Sequence, residues 1–510
     1  MKRSENLFKL RRMKSLLKIL TFCLFVNPLL AQLTQLAEIN IPKDTKFDES
    51  VSVLPLNKNG MLLTLKREGF YNRNVAHWIF YRYDNLLKES WQARLELESG
   101  FESVVSYQDE NYLYWLFQEP ETPKIMIARL DLQRGEIDEF KGKLLGNVNV
   151  DFFKVLGNNA FLGGVYFDRP IVISFSFFHQ KGTVLHGLYD DHLEINGLEV
   201  DDKRNELNVI VKERRKGKCG LAIQTYSAEG KTLRTIHVPD LEGNSLSFIS
   251  GKMLPLNENE TLLVGNYSNN CNDFSKGLYL TRLEEGLEKG TSIIKFGDMK
   301  NFFTFMSPKR QERMKEKIEQ KKKEGKEPNF SYKLLVHNLL ATEKGSVLIA
   351  EIYYSQPKNN GALSASILGA KSGDKVRREE EYTFTHAVIC EFDKTGKILW
   401  DNALVMDNLV TDDLVEQVQV SQLNDKWLLA YLKKGKINLQ QLKESVHVGE
   451  KETFEIKTDE RAKPDEEANV AAWYDQNFVV WGIRKIETKR SDDPLKEVFY
   501  LRKLSYEKGK

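Results

Sequence analysis

The sequence predicts an all-β fold: a single β-propeller, most simply with eight four-stranded blades and alternatively with seven. A motif recurs about every 45 to 52 residues, as an apolar strand, a short turn, a second apolar strand, a variable loop and a hairpin. A repeat of that length with four strands per copy is typical of a propeller blade. Of the 510 residues 41% are hydrophobic and 11% aromatic, enough to form a core layer between each pair of blades.

The first strands of the repeats set this period. They begin near Val51, Phe101, Val148, Leu193, Ser245, Tyr332, Leu414 and Ala468. The second strands, such as Tyr112 to Phe117 and Thr261 to Tyr267, are short and rich in aromatic or β-branched residues. That composition is expected of strands buried between stacked sheets.

A hairpin ends the motif, and in several repeats its turn contains a glycine, as at Arg134-Gly135 and Glu229-Gly230. Glycine supplies the positive φ that a tight hairpin needs. The run from Cys390 to Trp400, with its turn at Lys394-Thr395-Gly396-Lys397, resembles the outer hairpin of quinoprotein-like propeller repeats. The blades are thus similar to WD40-like or quinoprotein-like blades. The resemblance implies a quinone only as a distant alternative, and we predict no cofactor.

The two chain ends are predicted to close the ring. The last repeat has three clear strands, Val470 to Tyr474, Phe478 to Ile483 and Val498 to Ser505, while Leu36 to Ile41 is an extra strand before the first repeat. An open ring would leave two bare sheet edges. We therefore expect the N-terminal strand to complete the last blade.

Residues 1–31 have the features of a secretory signal peptide. Basic residues including Lys14 and Lys18 accompany an apolar run from Leu16 to Leu30, and the small residue Ala31 precedes the expected cleavage point. A membrane anchor is the alternative, but the apolar run is short for a bilayer span. The propeller then occupies 32–510, and no other segment is apolar enough to span a membrane. The signal, the Lys-rich composition and the aromatic strands resemble those of exported proteins of Bacteroidota-type bacteria. We expect a periplasmic, extracellular or cell-surface location.

Charge and cysteine content narrow the partners and the chemistry. The net charge of +2 comes from 75 basic and 73 acidic residues, a balance that gives no indication of nucleic-acid binding.

Cys219 and Cys271 lie about one repeat apart in loops between second and third strands, so neighbouring blades would bring them together. We predict a disulfide between them in an oxidising compartment, with free thiols as the alternative.

Two insertions interrupt the period, at 297–330 and 355–381. In the first, Ser307-Pro308 and Gly325 with Pro328 delimit a predicted helix over Lys309 to Glu324. From Lys309 to Lys326 there are nine basic and four acidic residues, a local balance of +5. Propeller connectivity places both insertions on one face of the disc. Loops on a rigid frame often carry function, although surface insertions also drift at little cost in stability.

The predicted binding residues are aromatic and polar side chains at the first insertion and in the blade that follows it. Exposed aromatics there would stack on sugars or contact a protein, or else pack the insertion onto the disc. The two polar residues would line the channel or form a hydrogen-bonded interior pair. These candidates are Phe302, Phe303, Phe305, His337, Asn338, Tyr353 and Tyr354.

Other residue patterns leave further alternatives open. The basic helix would suit acidic glycans or lipid headgroups, or be a solvated face. His179, His186 and His192 lack the spacing of a zinc site, and we predict no metal. Acidic residues recur near the first strands and would support polysaccharide hydrolysis or elimination at the channel mouth. These acids are Asp48, Glu102, Asp151, Glu194, Asp413 and Glu467.

The absence of known catalytic motifs favours binding over catalysis. The sequence has no serine nucleophile elbow, phosphate loop, zinc signature or kinase motif. We therefore expect a monomeric, exported binding or scaffold propeller whose partner is an envelope protein or a glycan. A propeller enzyme acting on polysaccharide is the alternative.

Overall fold

The computed structural model describes residues 32–507, with gaps at 45, 70–74, 99, 239–245, 327, 329, 331, 358–379, 458–466 and 487–495. The strands of this part of the chain form eight antiparallel sheets. We number the sheets as blades 1 to 8 and name the strands of each blade A to D in their order across the sheet. The predicted signal segment, residues 1–31, lies outside the described residues.

Blades 1 to 4 each contain four strands that follow chain order. Their bounds are Phe47–Pro55, Met61–Gly69, Val75–Tyr83 and Glu89–Glu98 in blade 1; Glu102–Gln108, Tyr112–Gln118, Lys124–Asp131 and Ile137–Lys143 in blade 2; Asn149–Leu156, Asn159–Tyr166, Arg169–Ser176 and Lys181–Val184 in blade 3; and Leu193–Asp201, Glu206–Arg215, Lys218–Ser227 and Thr232–Val238 in blade 4.

Blades 5 to 8 keep this plan with small additions. Their bounds are Ser247–Pro255, Glu260–Ser268, Gly277–Glu284 and Leu287–Lys295 in blade 5; Lys333–Val336 (continued by Leu340–Ala341), Gly345–Pro357, Glu380–Asp393 and Ile398–Thr411 in blade 6; Gln419–Leu423, Lys426–Lys433, Lys436–Lys443 and the short outer pieces Val446–His447 and Glu452–Glu455 in blade 7; and Asn469–Ala472, Asn477–Ile486, Lys496–Glu507 and Gln32–Pro42 in blade 8.

The hydrophobic core consists of layers between neighbouring blades. In strand B of blade 2, the side chains from Leu113 to Phe117 are all buried. Trp115 of that strand meets Trp78 of blade 1 edge to face, with 5.7 Å between ring centroids. Burial on both faces of a blade explains why strands B and C read as continuous apolar runs rather than as alternating ones.

The A strands surround the axis of the disc: those of blades 2 to 5 contact one another in succession, as do those of blades 7 and 8. Four consecutive A strands, in blades 2 to 5, each contain a β-bulge near the start. A bulge shifts the register and re-aims the side chains that follow it. The bulged residues are Val104, Asp151, Asn196 and Ile249.

The N-terminal strand closes the ring, as predicted. Gln32–Pro42 pairs antiparallel with Lys496–Glu507 of blade 8. Ile39 and Ile41 pack into the layer between blades 8 and 1, and Glu38 accepts a 2.7 Å hydrogen bond from Arg502 Nε. Eight blades, rather than seven, form the ring.

The predicted helix is confirmed and runs over Pro308–Lys323; we call it α1. Ser307 is its N-cap residue in extended conformation, and Gly325, at φ 67°, follows the end of the helix as a left-handed stop. The Ser307 side chain makes no capping hydrogen bond. Instead, Gln311 Nε2 donates to the carbonyl of Met306 at 2.7 Å, which secures the entry to the helix.

The second insertion begins later than the sequence indicates. Strands B and C of blade 6 pair outwards as far as Pro357 with Glu380, so the residues at both edges of the predicted 355–381 insertion belong to the ladder. Its remaining part, 358–379, lies outside the described residues.

Candidate binding face

Both insertions leave the disc on the same face. In an antiparallel four-stranded blade, the B–C connection and the connection from strand D to the next strand A emerge at the same edge. The segment with α1 joins strand D of blade 5 to strand A of blade 6, and residues 358–379 join strands B and C of blade 6. We call this side of the disc the insertion face.

Aromatic packing holds the first insertion on the disc. Phe302 is fully buried and stacks on Phe296 with 4.1 Å between centroids, and Phe303 is also buried. Ile318 is the buried residue of α1 and belongs to the same core cluster. Phe302 and Phe303 therefore pack the insertion onto the disc, which is the second of the two roles predicted from the sequence. Neither ring is exposed to solvent.

A carboxylate that sequence reasoning missed anchors the insertion to blade 6. Asp401, buried in strand D, accepts hydrogen bonds from the backbone N–H groups of Lys300 at 3.0 Å and Asn301 at 2.6 Å. The Asn301 side chain donates in turn to the Asp401 carbonyl at 2.7 Å. The contact spans about 100 residues of sequence, so no local pattern indicates it.

Phe305 covers a buried histidine instead of facing a ligand. Its ring stacks on that of His386, with 4.1 Å between centroids and 10° between planes. His386 is fully buried in strand C of blade 6, and its Nδ1 lies 2.9 Å from Thr385 Oγ1. Burial lowers the pKa of His386 to about 3, so this imidazole is neutral at physiological pH.

The outer side of α1 presents basic residues to solvent. Arg310, Arg313 and Lys317 are exposed and are spaced three and four positions apart, which aligns them along one flank of the helix. We call these three residues the basic stripe. Within the described residues none of these three forms an ion pair. Lys322, in the last turn of α1, does: its Nζ lies 2.6 Å from Asp298 Oδ1.

His337 and Asn338 lie just beyond strand A of blade 6 and differ in environment. His337 is buried, with Nε2 2.8 Å from Glu351 Oε1, and Asn338 is exposed. The same Glu351 oxygen accepts the backbone N–H groups of Gln417 and Val418 at 2.8 Å each. His337 therefore takes part in an interior hydrogen-bonded pair that ties blade 6 to the entry of blade 7.

Tyr353 and Tyr354 end on the insertion face at the outer part of strand B in blade 6. Tyr353 is half-buried against Phe384, and burial raises the pKa of its hydroxyl to about 12. Tyr354 is 40% exposed. Of the seven predicted binding residues, Asn338 and Tyr354 are thus the ones that are exposed in the structure.

Cys219 and Cys271 are joined by a disulfide between blades 4 and 5, with 5.0 Å between Cα atoms. Cys219 lies on strand C of blade 4, one residue into the strand, and Cys271 lies in the B–C connection of blade 5. Cys390 is a buried free thiol. Cys219 therefore lies in a strand rather than in a loop as predicted, and the disulfide tethers the start of strand C in blade 4 to the B–C connection of blade 5 on the insertion face.

The recurring acids lie on or just before the A strands of six different blades. All six are solvent-exposed in the structure: Asp48, Glu102, Asp151, Glu194, Asp413 and Glu467. Glu194 is held by Lys212 at 2.8 Å and Arg214 at 3.0 Å, and it lines one cavity together with Asp151. Among the described residues, the one metal-like group of side chains is Asp190, Asp191 and His192, all exposed, which includes neither His179 nor His186.

A polar layer in the channel also escaped sequence reasoning. Tyr107, Lys154, Glu199 and Lys252 each lie three positions after the bulged residue of their A strand. Lys154 Nζ is 4.9 Å from the Tyr107 ring centroid, and Lys252 Nζ is 3.8 Å from Glu199 Oε1. Burial lowers the pKa of Lys154; burial also raises that of Glu199, although Lys252 and Lys154 oppose the rise. Because each bulge shifts the register of its strand, no spacing in the sequence aligns these four residues.

The fold defines the class of protein as an eight-bladed β-propeller. Searches of protein-family models and of curated proteins give no match. In the described residues, no helix has the length and apolar character needed to cross a membrane.

Among solved structures, the chain is similar to the Dos1 propeller, with 9% identity over 93% of this chain and 95% of that one and a TM-score of 0.40. It is similar to the polysaccharide lyase Uly1, with 10% identity over 79% and 90% of the chains and a TM-score of 0.38. It is also similar to prolyl oligopeptidase B from Galerina marginata, with 8% identity, a TM-score of 0.40 and coverage of 85% of this chain and 56% of that one. Similarity at identities of 8 to 10% indicates a shared fold and not a shared activity, so we assign none of these activities to the chain. The propeller class is assigned from the strand topology.

Proposed function

We propose that this propeller is an exported, non-catalytic binding or scaffold protein. It recognises a protein or glycan partner through the insertion face around blades 5 and 6. The observation that carries the proposal is the mounting of α1: a strongly charged helix is fixed on a rigid disc, with its basic stripe turned to solvent.

The contacts that fix α1 to the disc support a function, because an insertion without a role would not need to be held in one position. The segment before α1 is held by the buried Phe302, by the two backbone hydrogen bonds to Asp401 and by the Lys322–Asp298 ion pair. A charged group in a fixed position loses little conformational entropy on binding, whereas a mobile side-chain cluster must be ordered first. The geometry therefore favours the recognition role over a solvated helix without a function.

The charge of the stripe defines the partner's chemistry. Arg310 and Lys317 have no acidic residue three or four positions away in either direction, so the helix does not neutralise them internally. Electrostatic complementarity then calls for an acidic protein surface or an acidic glycan. Tyr354, exposed on the same face, offers an aromatic contact as well.

Charge reversal of the stripe tests this proposal. The variant carries Arg310→Glu, Arg313→Glu and Lys317→Glu, and its matched control carries Lys394→Glu, Lys397→Glu and Lys426→Glu on the opposite face. Chemical crosslinking and capture from native envelope extract are compared, with acidic and neutral polysaccharides as separate arms. We expect the stripe variant alone to lose its partner. Equal capture by both variants would refute the role of the stripe.

A second candidate, catalysis on polysaccharide in the channel, has one specific observation in its favour. Opposite pKa displacements of a lysine and a carboxylate in one enclosed layer are the pattern of an acid–base pair. Lys154 and Glu199 fit that pattern. Release of reducing sugar from envelope polysaccharides that is abolished by Glu199→Gln but not by the stripe variant would favour this candidate.

A further inference from the structure

The insertion face carries an exposed apolar patch at blade 3, distant in sequence from α1. Phe167 is 78% exposed, Leu145 65% and Tyr189 43%. The Phe167 ring lies 4.4 Å from that of Tyr166, which in turn packs directly over Gly146. Tyr166 thereby reaches the connection that carries Leu145, and the Arg169 guanidinium on the other side of the turn lies 5.1 Å from the centroid of the Tyr189 ring. We call Leu145, Phe167 and Tyr189 the blade 3 patch. Contiguous exposed apolar surface in a soluble protein marks a site of interaction more often than isolated residues do.

The backbone at Phe167 is strained, and its ring remains 78% exposed although it contacts Tyr166. Tyr166 pairs with Arg169, so Phe167 and Asp168 form a two-residue turn between strands B and C. Their φ angles are 47° and 59°. Such a turn prefers Asn-Gly, and a bulky residue with positive φ is an outlier that functional sites tend to retain. An exposed ring held in this way is suited to contact with a partner.

A cavity of about 470 Å³ opens beside the patch, between blades 3 and 4. Its lining includes three apolar side chains, which we call the floor: Phe152, Val165 and Ile195. The charged lining residues, which we call the rim, are mainly acidic, with one counter-charge: Asp151, Asp168, Asp191, Glu194 and Arg214. Glu194 is paired with Lys212 and Arg214, and Asp191 lies 2.9 Å from His192 Nδ1. Asp168 has no ion pair among the described residues, and four carboxylates against one lining arginine leave the rim negatively charged.

We propose that the cavity and the blade 3 patch together bind a segment of a partner polypeptide. The segment places a Lys or Arg side chain in the cavity and an apolar side chain against Phe167. A long cationic side chain has an apolar stem and a charged end, which match the floor and the rim. A free small cation would fill the cavity without using Phe167, and an acidic glycan would be repelled by the rim.

The blade 3 site carries negative charge and the basic stripe carries positive charge, although both lie on the insertion face. The stripe attracts acidic partners and the blade 3 site attracts basic ones, so the two bind different segments. Binding at the blade 3 site does not require the stripe, and variants of one site leave the other intact.

Fluorescence anisotropy with a labelled decapeptide of alternating Lys and Leu tests the proposal on the mature protein. Phe167→Gly and Asp168→Asn are each expected to weaken binding about tenfold or more, as removal of an anchor residue does. A peptide with Glu in place of Lys is expected not to bind. Phe167→Gly should leave the melting temperature unchanged or higher, because glycine accepts the positive φ; a purely structural phenylalanine would lower it.

Matched controls separate the possible occupants. Phe178→Ala removes an 83% exposed ring on the opposite face and should leave peptide affinity unchanged, as should reversal of the basic stripe. Failure of the Lys-Leu peptide to bind would overturn the proposal. So would equal binding by Phe167→Gly and Asp168→Asn, binding of neutral hexasaccharides without the peptide, or binding of free Nα-acetyl-lysine amide as tight as that of the peptide.

Discussion

His386 makes the stability of the blade 6 region depend on pH, and one substitution isolates its contribution. The imidazole is fully buried between Phe302 and Phe305, with ring centroids 5.1 Å and 4.1 Å away. Burial lowers the pKa of His386 to about 3 from its ordinary value of 6.5. Replacement of His386 by Phe keeps an aromatic ring against Phe305 and removes the titrating group.

The sign follows from proton binding. Below pH 6.5 the unfolded chain takes up a proton on His386 that the folded protein does not, so stability is lost as the pH falls from 6.5 towards 3. Between pH 8 and pH 5 the loss from this one group is about 2 kcal/mol, from about 1.4 kcal/mol per pKa unit acting over about 1.5 units. Well above pH 6.5 the imidazole is neutral in both the folded and the unfolded protein, so none of this stability is lost.

Urea unfolding at pH 8 and pH 5, for the natural protein and for His386→Phe, measures this contribution. Carboxylates titrate in both proteins, so their effect cancels in the difference between the two pH dependences. We expect the natural protein to lose about 2 kcal/mol more than the variant over this range. Identical pH dependence in the two proteins would refute the argument that His386 is buried and neutral.

Three further predictions follow from the packing of the disc. Removal of the Cys219–Cys271 disulfide by serine substitution should lower the free energy of unfolding by up to about 4 kcal/mol, since the bond closes a loop with a separation of 52 residues; urea unfolding in the two redox states checks this. Phe302→Ala should cost about 3 to 5 kcal/mol and increase amide exchange at 296–306, whereas Tyr354→Ala on the exposed side should cost less than about 1 kcal/mol. Deletion of 32–42 should expose the edge of Lys496–Glu507 and produce concentration-dependent association in light scattering; a stable monomer would contradict the closure role of this strand.

The features predicted correctly from the sequence are local or periodic. The blade motif repeats its own alternation of strands and turns, and the helix has its limits at Ser307-Pro308 and Gly325, so each could be recognised within a short window. The closing strand was predicted because the first strand belonged to no repeat and the last repeat lacked a fourth strand, so pairing the two completed both.

The features that were missed depend on residues distant in sequence or on backbone detail. Asp401 reaches Asn301 across about 100 residues, and no sequence pattern connects them. For Phe302 the sequence left ligand contact and packing as alternatives, because an aromatic in an insertion has no periodic partner, and its complete burial agrees with packing. The channel layer depends on four bulges, and the Phe167 turn on two positive φ angles, neither of which composition specifies.

The most direct test of the account is site-specific photocrosslinking from the insertion face. A photoreactive residue replaces Gln320, which is exposed on α1, and in a matched protein it replaces Phe178 on the opposite face. We predict that illumination in native envelope extract links a defined partner to the Gln320 position and not to the Phe178 position, and that reversal of the basic stripe removes the link. Crosslinks of equal yield from both positions, or links from Phe178 alone, would contradict the assignment of the insertion face as the docking surface.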